Sequence, residues 1–193
     1  MGHSPDLLTH FYYLSNFETL MSENCMSQQF RTERLLLRPL RAQDVDDICR
    51  GVGPFEVSQW MTHVPHPYGV QDALDFIERN CGSFPEVAAI EYRQRMIGVV
   101  GVQRELGYWL TQDAWGQGFA SEAARHMVDW YFENVEDNVL QSGYFIANSR
   151  SKAVLERLGF VAGEIVQTLS RASGSEVPLQ KMHLSRERWR AGQ

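Results

Sequence analysis

Apolar positions in one stretch of the chain recur at helical spacing. Ala120, Ala123, Ala124, Met127, Val128, Tyr131 and Phe132 follow the i, i+3, i+4, i+7, i+8 rhythm of a single buried face. Ser121, Glu122, Arg125, His126 and Asp129 fall on the other side, so the pattern predicts an amphipathic helix whose small first-turn alanines let it pack closely on a sheet. Residues 42–50, 70–80 and 149–158 predict three more helices, and Asp44 and Asp72 lie near the starts of the first two, where a carboxylate suits the helix dipole. Residues 86–92 and 96–102 predict a strand hairpin, and residues 105–110, 139–147, 160–168 and 177–184 predict further strands. Gly53-Pro54 and the run from Val64 to Gly69 predict a long irregular connection between the first two helices.

The junction before the amphipathic helix carries the chemistry. Leu106-Gly107-Tyr108-Trp109-Leu110 reads as a strand, and Trp115-Gly116-Gln117-Gly118-Phe119-Ala120-Ser121-Glu122 reads as a glycine turn entering a helix. Glycines at 116 and 118 allow backbone N–H groups to face one point, and the helix start adds unpaired donors and the positive end of its dipole. Such a turn suits a phosphate, although a plain strand-to-helix turn has the same letters. Two nucleotide motifs fail on residue type: no Lys-Ser/Thr pair follows either glycine, as a Walker A loop requires, and Gly118 is followed by Phe119, Ala120 and Ser121 rather than by the third glycine of a dinucleotide fingerprint.

Several segments, in order, resemble the GNAT superfamily of acyl-CoA-dependent N-acetyltransferases, and more narrowly its RimJ/RimL-like branch. Thr32-Glu33-Arg34-Leu35-Leu36-Leu37-Arg38-Pro39-Leu40 resembles that branch's opening strand, and His66-Pro67-Tyr68 with Asp72-Ala73-Leu74-Asp75-Phe76-Ile77 its second-helix region. Gly107 to Leu110 and Trp115 to Ala120 resemble its fourth strand and pyrophosphate loop, and Asn148-Ser149-Arg150-Ser151 with Leu158-Gly159-Phe160 its N-x-x-S and L-G-F segment. The superfamily loop commonly opens with Gln or Arg. Trp115 stands there instead, which fits the branch but removes one cationic contact to phosphate.

The resemblance covers roughly residues 31 to 190, taken as a single N-acetyltransferase domain, and implies an α+β, three-layer α/β/α fold with a mixed, centrally splayed sheet flanked by helices. It implies acetyl-CoA as acyl donor and an amine-bearing small molecule or protein N-terminus as acceptor. The alternative from another class is a noncatalytic acyl-CoA-binding module. An alkyl amine must lose a proton to attack a thioester, the resulting oxyanion needs an N–H donor, and the departing thiolate needs a proton. By resemblance Glu105 is the candidate base, with Glu91 the runner-up, and Ser151 the candidate proton donor to the thiolate. Ser151 also stands at a helix entry, where a hydroxyl can simply cap free N–H groups. Asn148 is expected to hydrogen-bond the pantetheine arm, while Tyr108, Trp109 and Leu110 offer it a strand edge and an N–H near Leu110 polarises the thioester carbonyl. Trp115, Gly116, Gln117, Gly118, Phe119, Ala120 and Ser121 are expected to hold the pyrophosphate.

Bulk properties change this picture little. With 18 basic and 24 acidic residues the net charge is −6, which argues against direct nucleic-acid binding and fits solubility as well as it fits a cationic acceptor. Cys25, Cys49 and Cys81 form no paired or metal-binding signature, so a reducing, cytoplasmic setting is expected. No apolar run approaches a membrane span, and no secretory leader pattern opens the chain. His63 and His66 are close in sequence, but Pro65 and Pro67 break helical spacing and no third ligand is evident, so no metal is expected. Arg186 to Arg190 is read as a solvated terminal face rather than a contact to the cofactor's ribose phosphate. Residues 1–30 form an extension in which Leu7, Leu8, Phe11 and Leu14 suggest a short apolar-faced helix. That helix would pack on the domain or on a partner chain, which leaves a homodimer open, or it precedes a natural start at Met21 or Met26.

Overall fold

The computed structural model describes residues 29–192, so the helix expected within the N-terminal extension lies outside the described residues. In chain order the elements are β1 (Phe30–Arg31), β2 (Leu36–Arg38), α1 (Val45–Val52), α2 (Phe55–Ser58), α3 (Val70–Arg79), β3 (Val87–Tyr92), β4 (Arg95–Gly101) and β5 (Glu105–Leu110). Then follow α4 (Phe119–Asn134), β6 (Val139–Phe145), α5 (Ser149–Arg157), β7 (Val161–Ser170), β8 (Ser175–Ser185) and α6 (Arg186–Ala191). All eight strands join one sheet in the order β1-β2-β3-β4-β5-β6-β8-β7.

Period-2 alternation sends each strand's side chains into two separate cores. On β3, Ala88 and Ile90 face the cluster built on α4, whereas Val87 and Ala89 face the cluster built on α1 and α3. On β5, Leu106 and Leu110 take the α4 side and Trp109 the α1 side. Helices therefore cover both faces, which is the three-layer α+β arrangement the sequence implied. Of the predicted apolar stripe of α4, Ala123, Ala124, Met127, Val128, Tyr131 and Phe132 lie in the core, whereas Ala120 is half-buried at the cleft and Phe119, outside the predicted stripe, is buried.

The central feature is a splay. β5 and β6 are parallel neighbours paired only at Glu105 with Gln141 and Leu106 with Ser142, while every other pairing in the sheet is antiparallel. Beyond that point β5 stays on β4 and β6 stays on β8, leaving a gap. The buried Ser142 hydroxyl donates to the Leu106 carbonyl at 2.8 Å and pins the apex where the strands part.

Three local expectations change. The opening strand is broken into β1 and β2 because the Thr32 N–H turns back onto the Leu35 carbonyl at 3.0 Å. The irregular connection after α1 contains a short helix, α2. The 186–190 run is not simply a solvated face: Trp189 stacks on Phe132 at 5.2 Å and donates to Asp129 at 2.7 Å, and Arg186 donates to the Phe132 and Val135 carbonyls at the end of α4. These bonds satisfy carbonyls that the helix terminus leaves free.

Candidate active site

The splay opens into a cleft of about 1420 Å³ lined by β5, the 115–121 loop, the start of α5 and the side chains of α1 to α3. The glycine loop forms one wall. Gly116 and Gly118 adopt φ of 74° and 83°, the left-handed region that glycine enters without a steric penalty. Among the described residues, the N–H groups of positions 116–121 donate to no protein acceptor; the first helical bond of α4 runs from Glu122 N–H to the Gly118 carbonyl at 3.0 Å. Six successive donors are thus left free beside the cleft. A Cβ on Gly116 would meet nothing within 4 Å, so the space above the loop is open.

Side chains hold the loop from behind. Arg34 donates through Nη1 to the Gln117 carbonyl at 2.9 Å and through Nε to Glu122 at 2.7 Å, and its guanidinium lies 4.7 Å from the Phe119 ring centre. Burial works against the charged form of the Glu122 carboxyl, but hydrogen bonds from Thr32 and Arg34 outweigh it and hold the group below the usual carboxylate range. Trp115 ties the loop to β5 by donating from Nε1 to the Leu110 carbonyl at 2.9 Å. Arg150 stacks on the Trp115 ring at 3.9 Å, which returns to the cleft a cation that the loop's first position lacks. Gln117 does not line the cleft; its amide donates instead to the Asp113 carbonyl at 2.7 Å.

The β5 edge faces the gap with its even-numbered residues. Thr111 N–H donates to the Ile97 carbonyl at 2.8 Å, so the odd-numbered backbone groups pair with β4 and those of Tyr108 and Leu110 point the other way. Trp109 also lines the cleft, but its ring is a core element: it is 8% exposed, and a Cβ on Gly51 of α1 would meet it at 2.5 Å.

Asn148, rather than Ser151, caps α5: its side-chain oxygen accepts from Ser151 N–H at 3.1 Å. The Ser151 hydroxyl is left for a different partner, the Tyr108 hydroxyl at 3.0 Å, a link that joins α5 to β5 across the cleft. Desolvation pushes the Tyr108 phenol up to about 12, with the Ser151 hydrogen bond pulling it the other way, so the group stays neutral at physiological pH. The Tyr108 side chain and Arg150 are both absent from the sequence-based site. Tyr108 was legible only as strand edge, because its hydroxyl partner lies 43 residues away.

Glu105 opens β5 on the α1 face and is exposed at the cleft, with Lys181 of β8 at 3.2 Å. The Tyr108–Ser151 pair lies on the opposite, α4 face. Glu91 is elsewhere: it accepts from Arg38 at 2.8 Å, does not line the cleft, and belongs to a buried network in which Arg38 also grips both Asp44 oxygens at 2.8 Å. Asp44 therefore does more than suit a dipole. Among the described residues no cluster of three or more His, Cys, Asp or Glu side chains could hold a metal ion, and no helix is long and apolar enough to cross a membrane.

The profile of the acetyltransferase (GNAT) domain matches residues 34–161. An uncharacterised N-acetyltransferase, p20 of Bacillus licheniformis, is 28% identical over 159 residues, covering 74% of this chain and 88% of that one. YdaF of Bacillus subtilis (strain 168), provisionally named a ribosomal N-acetyltransferase, is 34% identical over 62 residues, covering 32% and 34% of the two chains. Among solved structures, RimL, an alpha-N-protein acetyltransferase of ribosomal L7/L12 in complex with coenzyme A, superposes with a TM-score of 0.69 at 16% identity, over 82% of this chain and 98% of that one. With the splayed sheet and its glycine loop on the same stretch as the domain match, the chain belongs to the GNAT acetyltransferase family, and its relatives support the RimJ/RimL-like branch.

Proposed function

We propose that this chain transfers an acetyl group from acetyl-CoA to an amine by direct attack while both substrates are bound. The observation that carries the proposal is the row of N–H groups at 116–121 that are free among the described residues, beside a β5 edge where the backbone of Tyr108 and the N–H of Leu110 are unpaired. Phosphate oxygens suit the loop, and an extended amide-bearing arm suits the strand edge. A second feature supports the fit: the Ser121 hydroxyl is buried in the cleft wall with no hydrogen-bond partner among the described residues.

Acetyl-CoA supplies an activated acetyl thioester. Glu105, five residues along β5 from Leu110, takes through intervening water the proton that the amine sheds as its nitrogen bonds to the acetyl carbon, and the Leu110 N–H stabilises the carbonyl oxygen. As the carbon–sulfur bond breaks, the Ser151 hydroxyl gives its proton to the sulfur, with Tyr108 orienting that hydroxyl from 3.0 Å. Solvent then removes the proton from Glu105 and returns one to Ser151. Asn148 holds the start of α5, and so the position of Ser151.

Gly118→Val tests the proposal. A branched side chain at φ 83° is strained and crowds the donor row, so calorimetric titration is expected to show acetyl-CoA affinity reduced by at least about 100-fold. Wild-type affinity in a folded Gly118→Val protein would overturn the loop's assignment, and tight ATP–magnesium binding without CoA binding would overturn the reaction class.

A further inference from the structure

On the α1 face of the cleft, α1 to α3 and the segment joining α2 to α3 contribute an apolar and aromatic wall that includes Trp60, Met61, Tyr68 and Phe76. Burial, with the charges of nearby acidic groups, drives the half-buried Tyr68 phenol well above its ordinary value. The charged side chains opposite are unequal in sign. Arg104 and Lys181 line the cleft, and Glu105 is the carboxylate among its described lining residues. Glu105 is already faced by Lys181 at 3.2 Å, whereas Arg104 has no ion-pair partner among the described residues. Arg171 in the β7–β8 turn bonds to the segment joining α2 to α3, its backbone N–H donating to the Thr62 carbonyl at 3.2 Å and its Nη1 to the His63 carbonyl at 3.3 Å, but it does not line the cleft. The carboxylates whose charges act on Tyr68 and the neighbouring Cys49, Asp46, Asp72 and Asp75, do not line the cleft.

Resting on the acetyl-transfer proposal, we infer that the acceptor is an amine on an apolar, ring-sized body that also carries an anionic group, with Arg104 as the specificity-determining residue, and that polycationic amines are poor acceptors. An amine directed at Glu105 satisfies the one carboxylate present. A second positive charge on the same molecule would face Arg104 and Lys181 with no further carboxylate among the described lining residues to receive it. A carboxylate or phosphate on the acceptor would pair with Arg104. The apolar body would cover the aromatic wall and remove it from water.

The experiment compares kcat/KM at fixed acetyl-CoA for 2-phenylethylamine, for its carboxylate-bearing analogues 4-(2-aminoethyl)benzoate and L-phenylalanine, and for spermidine, in the wild type and in Arg104→Ala. Acetyl-CoA binding is measured in parallel by calorimetry. At least one carboxylate-bearing amine is expected to exceed 2-phenylethylamine by about tenfold and spermidine by more, and Arg104→Ala is expected to bring the ratio to the uncharged amine close to one. Equal or faster turnover of spermidine, an anion preference untouched by Arg104→Ala, or bound acetyl-CoA with no aromatic amine acetylated would each overturn the acceptor class while leaving acetyl transfer standing. Failure to bind acetyl-CoA at all would overturn both.

Discussion

Glu91 on β3 and Glu105 on β5 belong to the same sheet, and each faces a cation, at 2.8 and 3.2 Å respectively. Their surroundings differ in what they permit. Arg38 and Glu91 have side chains 5% and 16% exposed, and Arg38 is held by the nearly buried Asp44 as well. Burial alone would lower the Arg38 guanidinium, but the hydrogen bonds and charges of Asp44 and Glu91 hold it above its ordinary value. Lys181 and Glu105 are 38% and 51% exposed and share one contact. A carboxylate locked against a buried arginine is committed to the fold, because protonating it would strand the cation. One that shares a single exposed contact is open to solvent and able to meet a substrate. On the proposed mechanism Glu91 is thereby the poorer candidate for the base, and the two pairs are expected to differ in how much stability and how much turnover depend on them.

The largest effect is expected where the buried pair is broken. Asp44→Ala leaves the Arg38 guanidinium buried without its two-oxygen partner and should cost about 3–5 kcal/mol, read from urea unfolding midpoints. Replacing all three members by apolar residues of similar volume should recover much of that loss. A cost near zero for Asp44→Ala would erase the distinction between the two pairs.

Glu105→Gln comes next and acts on the other observable. The exposed side chain can be replaced with little change in melting temperature and little change in acetyl-CoA affinity, while kcat at neutral pH is expected to fall about 100-fold. Unchanged turnover would remove Glu105 from the role of base. It would leave the glycine loop unaffected, since that lies at the other end of the cleft.

How far the sequence reveals these roles depends on sequence distance. The α4 stripe is legible because helical period is local, and the loop is legible because positive φ at Gly116 and Gly118 demands residues without a Cβ. The Arg34 bonds to Glu122 span 88 residues, those from Arg38 to Glu91 span 53, and the Ser142 pin on Leu106 spans 36. Nothing near Arg34, Arg38 or Ser142 in the chain announces those partners. The break between β1 and β2 is also hidden, since Thr32 and Leu35 carry no Gly or Pro signal, and the turn is made by backbone and hydroxyl bonds. Family resemblance supplied Ser151 and Asn148, but only the fold separates the residue that caps α5 from the one whose hydroxyl pairs with Tyr108.

The Tyr108–Ser151 link sharpens the comparison at a smaller scale. Ser151→Ala and Tyr108→Phe are each expected to lower kcat about tenfold, and the double variant should lose much less than the product if the two hydroxyls act as one unit. The pH behaviour follows from the phenol's position at about 12. The folded state holds this proton more tightly than the unfolded chain, so the stabilisation is complete below about pH 10, the unfolded value, and is lost as pH rises through the folded one. Tyrosinate absorbance should therefore show Tyr108 titrating late together with Tyr68 and Tyr131, whose phenols burial also raises, and against a Tyr108→Phe reference Ser151→Ala should push the Tyr108 component later still by removing the hydrogen bond that lowers it. A multiplicative double variant, or no change in that late titration, would separate the two hydroxyls.

The smallest effect is expected at Lys181. In Lys181→Met the partly exposed pair is lost, and because solvent and salt already screen it, the unfolding free energy should change by no more than about 1 kcal/mol and the change should shrink further in high salt. The long side chain still covers the β6–β8 surface, since methionine keeps most of the apolar stem. Any larger loss would mean that Lys181 is held as firmly as Arg38 is. Glu105 would then be a structural carboxylate like Glu91, and the base would have to be sought among other groups facing the cleft.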